Sequence, residues 1–364
     1  MFFKTREADG ETVITPLGCL LVLLTFPVWI VIGLGYGLYK VAISDGHATS
    51  PRSASRSRDN GWSEKNSSRS GGLGSIATKR RQNKLIKRLC FGAKRFWDTK
   101  VEYTTAQIPK RSGGTRELAI PIAELKKTQK MLARAFDREL ASEVHKVANA
   151  YVKGRNTVTN AVPHLGCAVL IKLDIKDFFP SVTRDMLRPM LWRFVYQEPK
   201  ALERLLDLCM TANGLPQGAA TSPILSNLVL RKFDVVAYQF ANLMGAKYTR
   251  YADDLTFSLA EDDPVKARKI VSGVRSMLAQ QGFELNEKPN KLKILRAHQA
   301  QQVCGITING GKPTISKKQR RQVRAARHAI ENGRPASMSF ASVEGWESYM
   351  SFVKGESHNT AFET

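Results

Sequence analysis

The sequence predicts an α+β fold preceded by one membrane-spanning helix. Short runs of two-residue alternation flank an Asp-Asp pair at 253–254, as strands on either side of a turn would. Other stretches carry apolar residues every three or four positions, the period of helices packed on one face. Residues 17–39 hold no charge and are dominated by Leu, Val, Ile and Gly. That supplies the ~20 apolar residues a bilayer-crossing helix needs.

The 364 residues carry a formal net charge of +24 with a pI near 10.0, so the expected partner is a polyanion. The length allows a full core in two or three subdomains. Cys19, Cys90, Cys167, Cys209 and Cys304 lie far apart with no CxxC pair. This spacing argues against a zinc site or disulfide framework and fits a reducing compartment.

Residues 1–16 are expected on the far side of the membrane from the rest. Basic residues gather after the apolar run (Lys40, Arg52, Arg56, Arg58), and positively charged flanks stay cytoplasmic. Residues 40–78 are rich in Ser, Gly, Asn and Arg and read as a disordered tether. From Lys79 to Lys100 the only acid among many cations is Asp98, which predicts a basic helix.

Residues 103–121 read as two extended pieces around a Ser-Gly-Gly turn, with Lys110 and Arg116 on either side of it. Such a hairpin can grip phosphate oxygens, since arginine binds them through two N–H groups at once. A helix is expected over Lys126–Leu140. Val169–Asp174 is a mostly apolar run ending in an acid, as a buried strand would. Asp177 lies beyond its end and is the weaker acidic candidate. Thr183 is placed to cap the next helix. The loop Gly214–Pro223 has Gln217 among small residues that leave room for a planar ligand. Ser222 as cap and Pro223 as first helical residue predict a helix running on through Phe233 and Val236.

At the tip of the 247–259 hairpin, two adjacent carboxylates repel by about 4 kcal/mol at ~4 Å and an effective dielectric of ~20. A lone Asp-Asp is usually a solvated turn, but Asp174 brought beside it would complete a cluster able to hold two divalent cations. Short strands follow over 282–288 and 303–310. A last basic helix has Val323, Ala326 and Ile330 on one side and Lys317, Arg320, Arg321 and Arg324 on another, with Arg327 at the margin. Such a helix suits lying along a nucleic-acid backbone, with an anionic membrane surface as the alternative.

Asp174, the Gln217 loop and Tyr251-Ala252-Asp253-Asp254, in this order, resemble a reverse transcriptase over about residues 80–355. Asn160-Ala161-Val162-Pro163-His164 and the compact size make the chain most similar to bacterial retron enzymes. Their characteristic Val-Thr-Gly appears here as Val303-Cys304-Gly305. The resemblance implies a right-hand polymerase with fingers (79–168, including the basic helix), palm (169–310) and a short helical thumb (311–364). It implies two Mg²⁺ ions on Asp174, Asp253 and Asp254 with the Ile175 carbonyl, triphosphate binding by Lys110 and Arg116, and nucleotide contact by Gln217. Phe179 would exclude a ribose 2′-hydroxyl, and Lys288 or Lys291 would act as general acid. Asn160, His164 and the basic helix would bind RNA. The implied partners are a structured non-coding RNA with its DNA product, deoxynucleoside triphosphates and an effector protein encoded nearby. The implied setting is antiphage defence at the bacterial inner membrane. A non-retron defence reverse transcriptase, and a membrane-tethered RNA-binding protein without polymerase activity, are the alternatives.

Overall fold

The computed structural model describes residues 94–109, 114–195, 198–288 and 290–359, apart from the side chains of Arg116 and residues 356–359. The apolar run 17–39, the tether 40–78, the basic stretch up to residue 93, and Lys110 lie outside the described residues. No helix among the described residues is long and apolar enough to cross a membrane.

A short helix α1 (Lys94–Asp98) leads to the hairpin β1 (Tyr103–Pro109) and β2 (Thr115–Pro121), paired in register from Tyr103↔Pro121 to Pro109↔Thr115. Helix α2 (Ala123–Leu140) follows. It buries Leu132, Ala135, Phe136 and Leu140, as the spacing predicts, while Met131, expected on the same face, is only partly buried; it begins three residues earlier than expected, adding Leu125 to the buried face. Next come α3 (Thr157–Ala161) and the buried strand β3 (Val169–Asp174). After it lie α4 (Phe178–Ser181), α5 (Arg184–Trp192) and α6 (Pro199–Cys209). The Thr183 hydroxyl accepts from Met186 N at 3.3 Å, so the expected cap is present.

The expected single helix after the Gln217 loop is two helices, α7 (Ser222–Val229) and α8 (Arg231–Leu243). They meet at Leu230, whose ψ of 0° breaks the helical run. Val236 is consequently 45% exposed instead of lying on one continuous buried stripe. The cap differs too. Thr221 is the N-cap and makes no side-chain cap bond, while the Ser222 hydroxyl donates backwards to the Pro216 carbonyl at 2.8 Å.

Strands β4 (Ala246–Tyr251) and β5 (Asp254–Leu259) form the expected hairpin. Helix α9 (Pro264–Ala279) then returns the chain to β6 (Lys293–Arg296), and the four strands pair antiparallel in the order β4-β5-β3-β6. Residues 282–288 are not a strand; only Leu285 bridges Ile175. The side chains of β3 and β5 alternate between two faces. Ile171, Leu173, Leu255 and Phe257 enter one apolar core with α7, α8 and α9. Asp174 and Asp254 lie opposite one another in the register and share the other face. A small sheet of β7 (Gln302–Val303), β8 (Ile306–Thr307) and β9 (Thr314–Ile315) completes this unit.

Residues Lys317–Phe352 belong to a separate compact unit, built from α10 (Lys317–Glu331) and most of α11 (Phe340–Asn359). Val323, Ala326 and Val343 form its small core, with Ile330, Met338, Trp346 and Met350 packed around them.

Candidate active site

The site forms where β3 ends beside the β4–β5 turn. Asp174 is register partner to Asp254, and the N–H of Ile175 donates to the Asp253 carbonyl at 3.1 Å. Three acids from two distant stretches of sequence are therefore neighbours along the backbone. Ala252 takes φ +57°, the left-handed conformation a tight hairpin tip requires.

Among the described residues no three His, Cys, Asp or Glu side chains stand close enough to hold a metal ion. Asp174 is itself held by other side chains. Lys291 Nζ donates to its Oδ1 at 2.6 Å and Asn286 Nδ2 to its Oδ2 at 2.8 Å, so both oxygens are engaged by protein groups. Burial, with Asp254 and Asp174 adding repulsion, pushes the Asp253 carboxyl up to about 7. Burial also raises Asp254 to about 6, against a pull downward from Lys172. Acids held in this state relax when a cation arrives, so the donor set fits a hard divalent ion.

Of the two candidate lysines, Lys291 belongs to the site and Lys288 is exposed outside it. Burial alone would lower the Lys291 ammonium, yet its bond to Asp174 holds it above the ordinary lysine value. Asn286, a direct partner of Asp174, was not singled out from the sequence. Its amide sits in a stretch whose pattern resembles an ordinary strand, and only the bridge of Leu285 to Ile175 brings it alongside. Asp177, at φ +43°, is exposed beyond the strand end.

Phe179 and the Gln217 loop are tied together and to the hairpin. Leu215 N donates to the Phe179 carbonyl at 3.0 Å, and Ala119 N of β2 donates to the Gln217 carbonyl at 3.1 Å. The bare backbone beside Gln217 also receives a strand of the protein itself. A Cβ at Gly218 would lie 2.7 Å from the Ala119 carbonyl, so the protein's own strand takes up that close approach. Gln217 and Phe179 remain partly exposed. Strand β2 carries the Arg116 backbone opposite Ile108.

Asn160 and His164 are corrected as direct RNA contacts, since both are fully buried. His164 hydrogen-bonds Ser258 at 2.7 Å and Thr249 at 2.8 Å, and burial pulls its imidazole down to about 3, so it is neutral. Asn160 Nδ2 donates to Cys304 Sγ at 3.4 Å. The two family-like segments thus clasp one another inside the protein, and Cys304 turns the chain at φ +49°. On α10, Lys317, Arg320, Arg321 and Arg324 are exposed as expected. Arg327 is not free: its Nε donates to Glu347 at 3.1 Å and its guanidinium lies 5.4 Å from the Phe340 ring centre.

A profile of the family described as reverse transcriptase (RNA-dependent DNA polymerase) matches residues 108–319. The chain is similar to the retron Mx162 reverse transcriptase of Myxococcus xanthus, at 34% identity over 65% of this chain and 54% of that one. It is also similar to the retron Mx65 reverse transcriptase of the same organism, at 34% over 70% and 62%. The retron Ec86 reverse transcriptase of Escherichia coli is 32% identical over 67% of this chain and 73% of its own. The matches thus span little more than half the length of the two Myxococcus relatives.

Proposed function

The chain belongs to the reverse transcriptase family, and on that premise we propose that it is an RNA-directed DNA polymerase of retron type. The observation that carries the reading is the Asp174↔Asp254 register with Asp253 joined through the Ile175 N–H. When bound there by Asp174, Asp253 and Asp254 with the Ile175 carbonyl, two Mg²⁺ ions would supply Lewis acidity toward a 3′-hydroxyl and a triphosphate. Lys110 and Arg116 neutralise the triphosphate oxygens. Gln217 contacts the incoming nucleotide, and Phe179, five residues after Asp174, closes the space a ribose 2′-hydroxyl would need. Lys291, released from Asp174, protonates the leaving pyrophosphate.

The template in this reading is a structured non-coding RNA, copied from deoxynucleoside triphosphates into DNA linked to that RNA. An apolar anchor at 17–39 holds the enzyme at the inner face of a bacterial membrane, where an effector protein joins it in antiphage defence. Mg²⁺-dependent extension of a primer on RNA by the purified full chain tests the polymerase reading. Asp253→Asn with Asp254→Asn is expected to reduce extension on the order of a thousandfold, and retained synthesis would refute it. Sequencing the co-purified nucleic acid tests the retron assignment: a discrete RNA–DNA hybrid supports it, while template-free DNA favours a non-retron defence enzyme.

A further inference from the structure

Beneath the acidic turn lies an ion pair that the reaction as drawn does not use. Arg250 and Asp234 are both fully buried, 2.6 Å apart between Nη2 and Oδ2, with a second bond from Nε to Oδ1 at 2.8 Å. Tyr248 donates its hydroxyl to the same Asp234 at 2.9 Å. Two charges removed from water in this way contribute little net stability, because desolvation offsets most of their attraction. An apolar pair of similar volume would fill this space at least as well.

What an apolar pair could not do is reach the turn. Arg250 Nη1 donates to the Ala252 carbonyl at 3.0 Å and to Asn227 Oδ1 at 3.0 Å. Four of the guanidinium's N–H groups are thereby placed by three residues of α7, α8 and the turn. The Ala252 carbonyl belongs to the peptide unit that also carries the Asp253 N–H. On its other side, Asp253 has its own carbonyl held by the Ile175 N–H. Both peptide planes flanking Asp253 are therefore gripped, one by Arg250 from below and one by the strand that bears Asp174. The left-handed conformation of Ala252, which costs an L-residue about 1–2 kcal/mol, is held by the same bond.

We propose that Arg250 is a positioning residue for Asp253, acting through the Ala252 carbonyl, with Asp234 and Asn227 orienting its guanidinium. Asn227 also donates to the Ala150 carbonyl at 2.8 Å and stands on α7, the helix that the Gln217 loop opens. The nucleotide loop and the acidic turn thus share one rigid reference. The proposal rests on the polymerase reading, and the two fail separately: wild-type extension tests the reading, and the ratio of variant to wild type tests Arg250.

In the full-length protein, Arg250→Lys keeps the charge beside Asp234 but loses the planar fork. The expected result is a kcat lowered about tenfold to a hundredfold, the scale on which ~1 Å misplacement acts. The Mg²⁺ concentration for half-maximal rate rises, and Mn²⁺ binding, read by electron paramagnetic resonance, weakens in parallel. KM for the nucleotide and affinity for the primer–template stay within about twofold. Tyr248→Phe, which removes a bond to Asp234 but none to the turn, lowers the melting temperature while leaving kcat and Mg²⁺ dependence unchanged. Equal loss in both variants, or Arg250→Lys with wild-type kcat and metal dependence, overturns the proposal. Should Arg250→Lys fail to fold, Asn227→Ala removes one orienting acceptor and leaves the ion pair. It is expected to show the same split at smaller size, and wild-type behaviour there would equally overturn it.

Discussion

Two ion pairs of the same length, 2.6 Å, flank the acidic hairpin and behave as opposites. Below it, Arg250 and Asp234 are fully enclosed; above it, Lys291 reaches Asp174 with 46% of its side chain exposed. The lower pair has no solvent to exchange with, and its members are locked by Tyr248 and Asn227 as well as by each other. The upper pair has solvent on one side, so its ammonium can leave Asp174 when a stronger cation competes. Equal distance therefore says little about the work an ion pair does. Enclosure decides whether it is scaffold or counter-ion.

Removing one partner from each pair tests that contrast. Arg250→Met strands the Asp234 carboxylate in a dry core and is expected to cost about 3–5 kcal/mol of stability in chemical denaturation. Lys291→Met is expected to cost less than that, because its ammonium is half exposed although Asp174 is buried. Equal losses would erase the distinction. The same Lys291→Met variant sharpens the difference in function. With its competitor gone from Asp174, the purified protein should bind Mn²⁺ more tightly, while nucleotide addition slows on the order of a hundredfold through loss of the acid. Tighter metal binding without slower turnover would leave Lys291 as counter-ion alone.

The acids themselves give a pH signature of smaller size. Their folded carboxyls, at about 7 and about 6, lie above the ordinary 3.8. A carboxyl raised on folding binds its proton more tightly in the folded state, so protonation stabilises the fold. On these two groups the metal-free protein should hold the full stabilisation below about pH 4, lose it progressively as pH rises from there, and have lost it by about pH 7. Added Mg²⁺ should restore it at pH 8. Asp253→Asn with Asp254→Asn should flatten the slope and raise the melting temperature at pH 8 by ~2–4 °C per kcal/mol of repulsion relieved. A metal-free melting temperature that climbs from pH 5 to pH 8 would contradict these raised values.

Part of this site was legible before any coordinates. Alternation around 253–254 and the apolar run into Asp174 are local patterns, and all three strands formed where those patterns lie. The buried face of α2 and the Thr183 cap follow from spacing of the same kind. Arg250 sat in plain sight within the alternating run, at a position facing the apolar side of the sheet. An arginine so placed demands a buried acid, and that was the available signal. Its partner could not be named, because Asp234 lies on a helix whose direction depends on the break at Leu230. His164 and Asn160 show the reverse error. A polar residue carries no mark of burial in its own sequence, and only the packing of residues 157–164 against β4, and of α3 against the β7–β8 turn, enclosed them.

What the sequence determined by itself was the strands β3, β4 and β5, the acids at their ends, and the excess of positive charge that calls for a polyanion. These depend on side-chain periodicity and composition, which neighbours along the chain fix without help. The tertiary structure alone decided which partners each charge would have: Lys291 and Asn286 for Asp174, Asp234 for Arg250, Glu347 for Arg327. An ion pair's role depends on enclosure and on contacts between residues far apart in the chain. Neither exists until the chain has folded.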